Sequence, residues 1–311
     1  MVFSWQKCRR RPKAALRLDS ELTRGVTINI YYFWPKCKSL LMDGMLMNDM
    51  NTMDIPPHFD ETFLAWFRER TEAAWVTWRE TTLEQYRARN GSGLDWQRGT
   101  RWLGGLSDDE IARVEQRWHV RFPPDYRLFL QRLYAVDKPM RGARFEGYAA
   151  LPPHENSPLL PVESPAFPCW LLDDPLDIAY IKGRLDWLYQ GFEFDLEHNA
   201  LWPASWRTKP PTLTARKARM GKLLAAAPAM IPVHAHRYLL GDPCQAGNPV
   251  LSIYQSDIIV YGADLRSYLL KEFADLLGID QSAAHALAEP DAEAYARVCA
   301  IPFWGEIIEE G

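Results

Sequence analysis

The stretch LSDDEIARVEQRWHVRFPPDYRLFL, running from Leu106 to Leu130, decides how this chain folds. Ser107 is followed three residues later by Glu110, the spacing of a capping box in which each side chain satisfies a backbone N–H of the other. Ile111, Val114 and Trp118 then recur at helical intervals and define one apolar stripe. Val120 and Phe122 alternate with Arg121, which predicts an extended connector. Pro123-Pro124-Asp125 opens a second helix, with proline in the first turn where no hydrogen bond is lost. Tyr126, Phe129, Leu130, Leu133 and Tyr134 sit at i, i+3, i+4, i+7 and i+8 and form its buried face. Two short helices joined by an extended hinge and a double proline make a compact corner.

Working toward the C-terminus, the pattern changes after Pro139 to short extended pieces. Phe167 to Leu172 (FPCWLL), Gly191 to Leu196 and Met230 to Val233 are strand candidates. Val250 to Gln255 and Asp257 to Tyr261, joined by a tight turn, read as an antiparallel hairpin. Leu265, Tyr268, Leu269, Phe273 and Leu276 share one helical face, and Gln281 to Ala300 is an alanine-rich helix. Working toward the N-terminus, residues 91–105 are glycine-rich and read as a linker, or as a loop pinned by Trp96 and Trp102. Before them Phe63, Phe67, Ala74 and Trp78, widened by Leu64, Trp66 and Trp75, predict a helix from an N-cap at Asp60 to a stop at Asn90-Gly91. Helices first, an antiparallel sheet second and helices last define an α+β class: a largely antiparallel sheet packed with N- and C-terminal helices.

The first 52 residues differ from the rest. Residues 1–50 carry nine Lys/Arg against four Asp/Glu, five methionines crowd positions 42–53, and only Val26 to Trp34 reads as a strand. This segment is either a basic, disordered arm or upstream sequence ahead of a true start at Met53. The net charge of −4 over 311 residues argues against nucleic acid as the main ligand, because phosphate binding needs a dominant basic surface. The five cysteines are widely spaced, which fits neither a disulfide framework nor a zinc site. No apolar run reaches the ~18 residues of a membrane helix, and no secretory signal opens the chain. A cytoplasmic protein is expected.

The segment from Leu106 to Leu130 resembles the opening motif of the SUKH superfamily, which includes bacterial immunity proteins and yeast cell-wall assembly regulators. IPVHAHRYLL (Ile231 to Leu240) and GNPVLSIYQSDIIVYGADLRSYL (Gly247 to Leu269) resemble that family's closing strands and helix. The resemblance implies a SUKH-like domain over residues 100–280, preceded by an extension (1–52) and a helical segment (53–99) and followed by a helical tail (281–311). It also implies a protein-binding module with no catalytic constellation to transfer. The expected function is an immunity protein that neutralises a toxin by direct contact, the alternative being an intracellular scaffold or regulator akin to the cell-wall regulators.

A search for chemistry points the same way. Phosphate-loop, dinucleotide, nucleophile-elbow and HExxH motifs are all absent from the sequence. His234-Ala235-His236, if on a strand, would place two imidazoles on one side, but no ligand cluster accompanies them, and a hydrogen-bonded pair beside the sheet is the simpler reading. Cys169, among apolar neighbours, reads as an inert buried thiol. No cofactor, metal or small-molecule ligand is expected, and no enzyme activity. Charge segregation is the stronger clue. Residues 155–198 contain nine acids against Lys182 and Arg184, whereas 205–222 carry six basic residues and no acid. Either these are solvated faces that partly neutralise each other, or Asp173, Asp174, Asp177, Glu193, Asp195 and Glu197 form an acidic docking face for a basic toxin domain. Glu193, Asp195 and Glu197 alternate and would stand together on a strand.

Overall fold

The computed structural model describes residues 54–88, 93–145, 159–171 and 174–310. The N-terminal extension therefore lies outside the described residues. Helix α1 (Glu61–Thr77) starts where Asp60 accepts the Phe63 N–H at 3.0 Å, and it buries Phe63, Leu64, Phe67 and Trp75. It stops at Thr77 and does not run on to residue 90. Thr82 and Gln85 exchange backbone–side-chain bonds of 2.8 and 3.2 Å, a second capping box that opens a separate helix, α2 (Leu83–Ala88). A short strand follows, β1 (Leu94–Asp95).

The corner forms as its residues require. Ser107 accepts the Glu110 N–H at 3.3 Å, Glu110 accepts the Ser107 N–H at 2.8 Å, and α3 (Asp108–Trp118) follows. After the extended connector comes α4 (Pro124–Arg132), with Tyr126, Phe129 and Leu130 buried. Tyr134 lies past the helix with φ of 62° and is buried there, its hydroxyl accepting the Leu171 N–H at 2.9 Å. Strands β2 (Met140–Phe145) and β3 (Leu159–Ser164) pair antiparallel with each other, and β1 adds to β2. Phe167 to Leu171 is not a strand. This apolar run is an irregular segment whose Phe167, Cys169 and Trp170 fill the core as anchors, and Leu172 lies outside the described residues.

Gly191 to Leu196 is not a strand either. It lies inside α5 (Pro175–His198), a 24-residue helix capped by Asp174 with proline in its first turn. Gly191 has a local reason to lack a side chain, since a Cβ there would sit 2.9 Å from the Cα of Gln255. Next come α6 (Leu213–Ala226) and an antiparallel four-stranded meander of β4 (Met230–His234), β5 (Arg237–Leu240), β6 (Val250–Tyr254) and β7 (Asp257–Gly262). The predicted hairpin is present, with Tyr254 opposite Asp257. Helices α7 (Leu265–Glu272) and α8 (Ala274–Leu277) follow. The expected single C-terminal helix is two, α9 (Gln281–Ala288) and α10 (Ala292–Cys299), because Pro290 cannot continue the first and Asp291 caps the second at 2.7 Å. Helix α11 (Trp304–Glu310) ends the described chain.

Strands β4 and β5 are buried on both faces, which is why they lack a polar stripe, whereas the edge strand β7 keeps exposed positions such as Ile259. Ile231, Val233, Leu239 and Val250 face a core shared with α1, α4 and α7, in which Phe67 meets Phe273 edge-on at 5.1 Å. Tyr238, Leu240, Leu251 and Ile253 face a second core completed by α5, α6 and α11. The result is a mixed α+β fold built on two antiparallel sheets of three and four strands, the larger one lying between helical layers.

Candidate functional site

The acidic residues singled out in the sequence do not form one face. Side chains two apart on a helix point ~200° apart, whereas those four apart nearly coincide. Glu193 and Glu197 therefore share a side of α5, and both reach Lys217 of α6, which lies 3.1 Å from Glu193 and in direct contact with Glu197. That bond from Lys217 holds the Glu197 carboxyl below its ordinary value. Asp195 points the other way and is 2% exposed. It accepts the Ser256 N–H at 2.7 Å and the Asn199 amide at 2.6 Å, so it ties α5 to the β6–β7 turn. Asp177 is also buried, at 1%. Neither Asp177 nor Asp195 can meet a partner, and the expected docking role of both is corrected on that ground. Asp174 is exposed and caps α5 through the Leu176 N–H at 2.8 Å, while Asp173 lies outside the described residues.

The His234-Ala235-His236 stretch does not lie on one strand. Ala235 and His236 are the turn between β4 and β5, with Ala235 at φ of 48°, and the two rings meet different aromatic neighbours, His234 stacking on Trp96 and His236 meeting Tyr254 edge-on. Among the described residues no group of three or more His, Cys, Asp or Glu is placed to hold a metal ion. The turn instead covers a buried ionic cluster that only Arg237, His234 and His236 announced locally. Arg237 donates from Nε to Glu272, the last residue of α7, at 3.1 Å, and from Nη1 to Ser252 at 2.7 Å and to Nε2 of His236. Its guanidinium lies 3.6 Å from the centre of the Tyr261 ring. His234 donates from Nδ1 to the Ala166 carbonyl at 2.6 Å, which leaves Nε2 turned to Glu272 at 3.7 Å.

Burial alone would raise the Glu272 carboxyl, but Arg237 and the neighbouring imidazoles outweigh it and hold the group below its usual range. Burial works against charge on Arg237 too, and Glu272 more than offsets it. Burial pushes His234 down, and burial together with Arg237 pushes His236 down to about 3. Both imidazoles are therefore neutral at physiological pH. The arrangement is a salt bridge under a hairpin, with no nucleophile activated by a base.

The two stretches that resemble the SUKH motifs meet in space. Asp125 of the proline corner accepts the Gly247 N–H at 2.9 Å, bridging 122 residues of sequence. Cys244 donates to the Phe122 carbonyl at 3.5 Å beside it. Burial raises the Asp125 carboxyl, and the bonds from Gly247 and Tyr126 oppose that rise. No protein-family model, curated protein or solved structure matches the chain.

Proposed function

We propose that this chain is a non-enzymatic protein-binding module, an immunity protein that neutralises a cognate toxin domain by direct contact. What supports the reading is the Asp125–Gly247 bond, by which the two sequence stretches resembling SUKH motifs close on each other in one core. The helix-capped corner, the antiparallel strands and α7 follow in the order that resemblance implies. The acidic surface available to a partner is smaller than the sequence suggested. Asp174, Asp186 and Glu197 remain exposed on α5, and Glu197 is already engaged by Lys217. Recognition therefore rests on a packed centre with these carboxylates at its rim, where charge governs encounter more than affinity. Expression of the chain in cells whose growth is arrested by the product of the neighbouring gene tests this. Growth should be restored, and continued growth arrest with the chain present at equal level would sink the reading.

A further inference from the structure

Beneath the β4–β5 turn lies a cavity of about 40 Å³, whose lining includes the apolar Leu94, Met140 and Pro165 and the polar Arg184, His236 and Glu272. A space of that size holds about three water-sized groups. Its charges do not balance. Glu272 is taken by Arg237, and both side chains are 10% exposed. Arg184 is 9% exposed and has no carboxylate among the described residues. Its Nη1 donates to the Ala235 carbonyl at 3.0 Å, its Nε is buried without a partner, and the rings of Tyr180 and Trp187 lie 5.4 and 5.9 Å from it. A buried cation with an unused donor is costly unless an anion reaches it. A second donor stands nearby. His236 accepts from Arg237 on Nε2, so its ring proton is on Nδ1, for which no described residue supplies an acceptor.

We propose that this cavity binds a small carboxylic acid, with its carboxylate on the free edge of Arg184 and its carbon end against Leu94, Met140 and Pro165. Three features select this class. One unpaired guanidinium matches a monoanion, the planar fork of arginine matches the two carboxylate oxygens, and much of the remaining lining is apolar. A doubly charged phosphate or sulfate would be left undercompensated beside Glu272. The site adds a small-molecule ligand that the sequence did not disclose, and it is independent of the toxin-binding reading.

Isothermal titration of the full chain with acetate and propionate, against sulfate at equal ionic strength, is the test. The expected result is saturable binding of one carboxylate per chain and none of sulfate. Arg184→Gln should weaken it at least ~10-fold, as loss of a charge-assisted bond does, while Arg219→Gln on the exposed face of α6 should leave it unchanged. Leu94→Phe, which fills the cavity without touching the guanidinium, should abolish binding and keeps the test decisive if Arg184→Gln fails to fold. Absence of saturable carboxylate binding, or binding that survives both cavity variants, would overturn the proposal.

Discussion

Replacing Glu272 by glutamine removes the carboxylate that neutralises Arg237. The variant keeps the shape and loses the charge, so the change reads electrostatics and not packing. In the native protein Arg237 meets Glu272 at 3.1 Å, with both side chains 10% exposed, while a second guanidinium, Arg184, lines the same cavity. Taking away one partner of such a pair leaves a buried charge uncompensated, which costs about 3–5 kcal/mol. At roughly 2–4 °C per kcal/mol for a protein of this size, the melting temperature should fall by about 6–20 °C. Urea denaturation followed by tryptophan fluorescence measures the loss directly. The paired change Glu272→Leu with Arg237→Met removes both charges and should recover most of it, because two apolar side chains leave nothing unpaired. A Glu272→Gln variant as stable as the parent would refute the description of the cluster as a buried, mutually neutralising pair.

Three further outcomes follow from the same geometry. Because burial holds His234 and His236 below their ordinary values, the folded protein refuses protons that the unfolded chain accepts below pH ~6.5. Stability should therefore fall as pH drops below 6.5, by up to ~1.4 kcal/mol per pH unit for His236 down to its folded value of about 3, with His234 acting in the same direction, and His236→Gln should remove its share of that slope. An unchanged slope in denaturant titrations would contradict the assignment. Glu272, held low, adds to the loss only at more acid pH, as the pH falls through its folded value. Asp195→Ala strands the Ser256 N–H and the Asn199 amide and should cost about 2–4 kcal/mol, whereas Glu197→Ala should leave the melting curve where it was; equal effects would mean that Asp195 does not hold α5 to the β6–β7 turn. Asp125→Ala frees the Gly247 N–H and should cost about 1–3 kcal/mol in the same assay, and no loss would mean that the bond between the two motifs does not hold them.

The elements legible in the sequence were those whose signals are local. The Ser107–Glu110 box, the double proline, the turn between Tyr254 and Asp257 and the helix from Leu265 each lie within a few residues and appear where expected. Helix α5 was obscured by a coincidence: acids at 193, 195 and 197 imitate a strand's period of two, and Gly191 suggests an interruption. Its helical signal, Ile181, Leu188, Phe192 and Leu196 behind a capping Asp174 and Pro175, was present but weaker to the eye. FPCWLL misled because hydrophobicity marks burial and not conformation. The ionic cluster was illegible for a different reason. Arg184, His234, Arg237, Ser252, Tyr261 and Glu272 come from six different elements, and only the tertiary fold brings them together.

The most direct test of the proposed function is a calorimetric titration of the purified chain with the product of the neighbouring gene, any toxic activity of that product disabled. A 1:1 complex with a dissociation constant at or below the nanomolar range, about −12 kcal/mol, is expected. Reversal of Asp174 and Asp186 to lysine should slow association and flatten its salt dependence while leaving dissociation nearly unchanged. Absence of any heat of binding with both proteins folded and at micromolar concentration would contradict it.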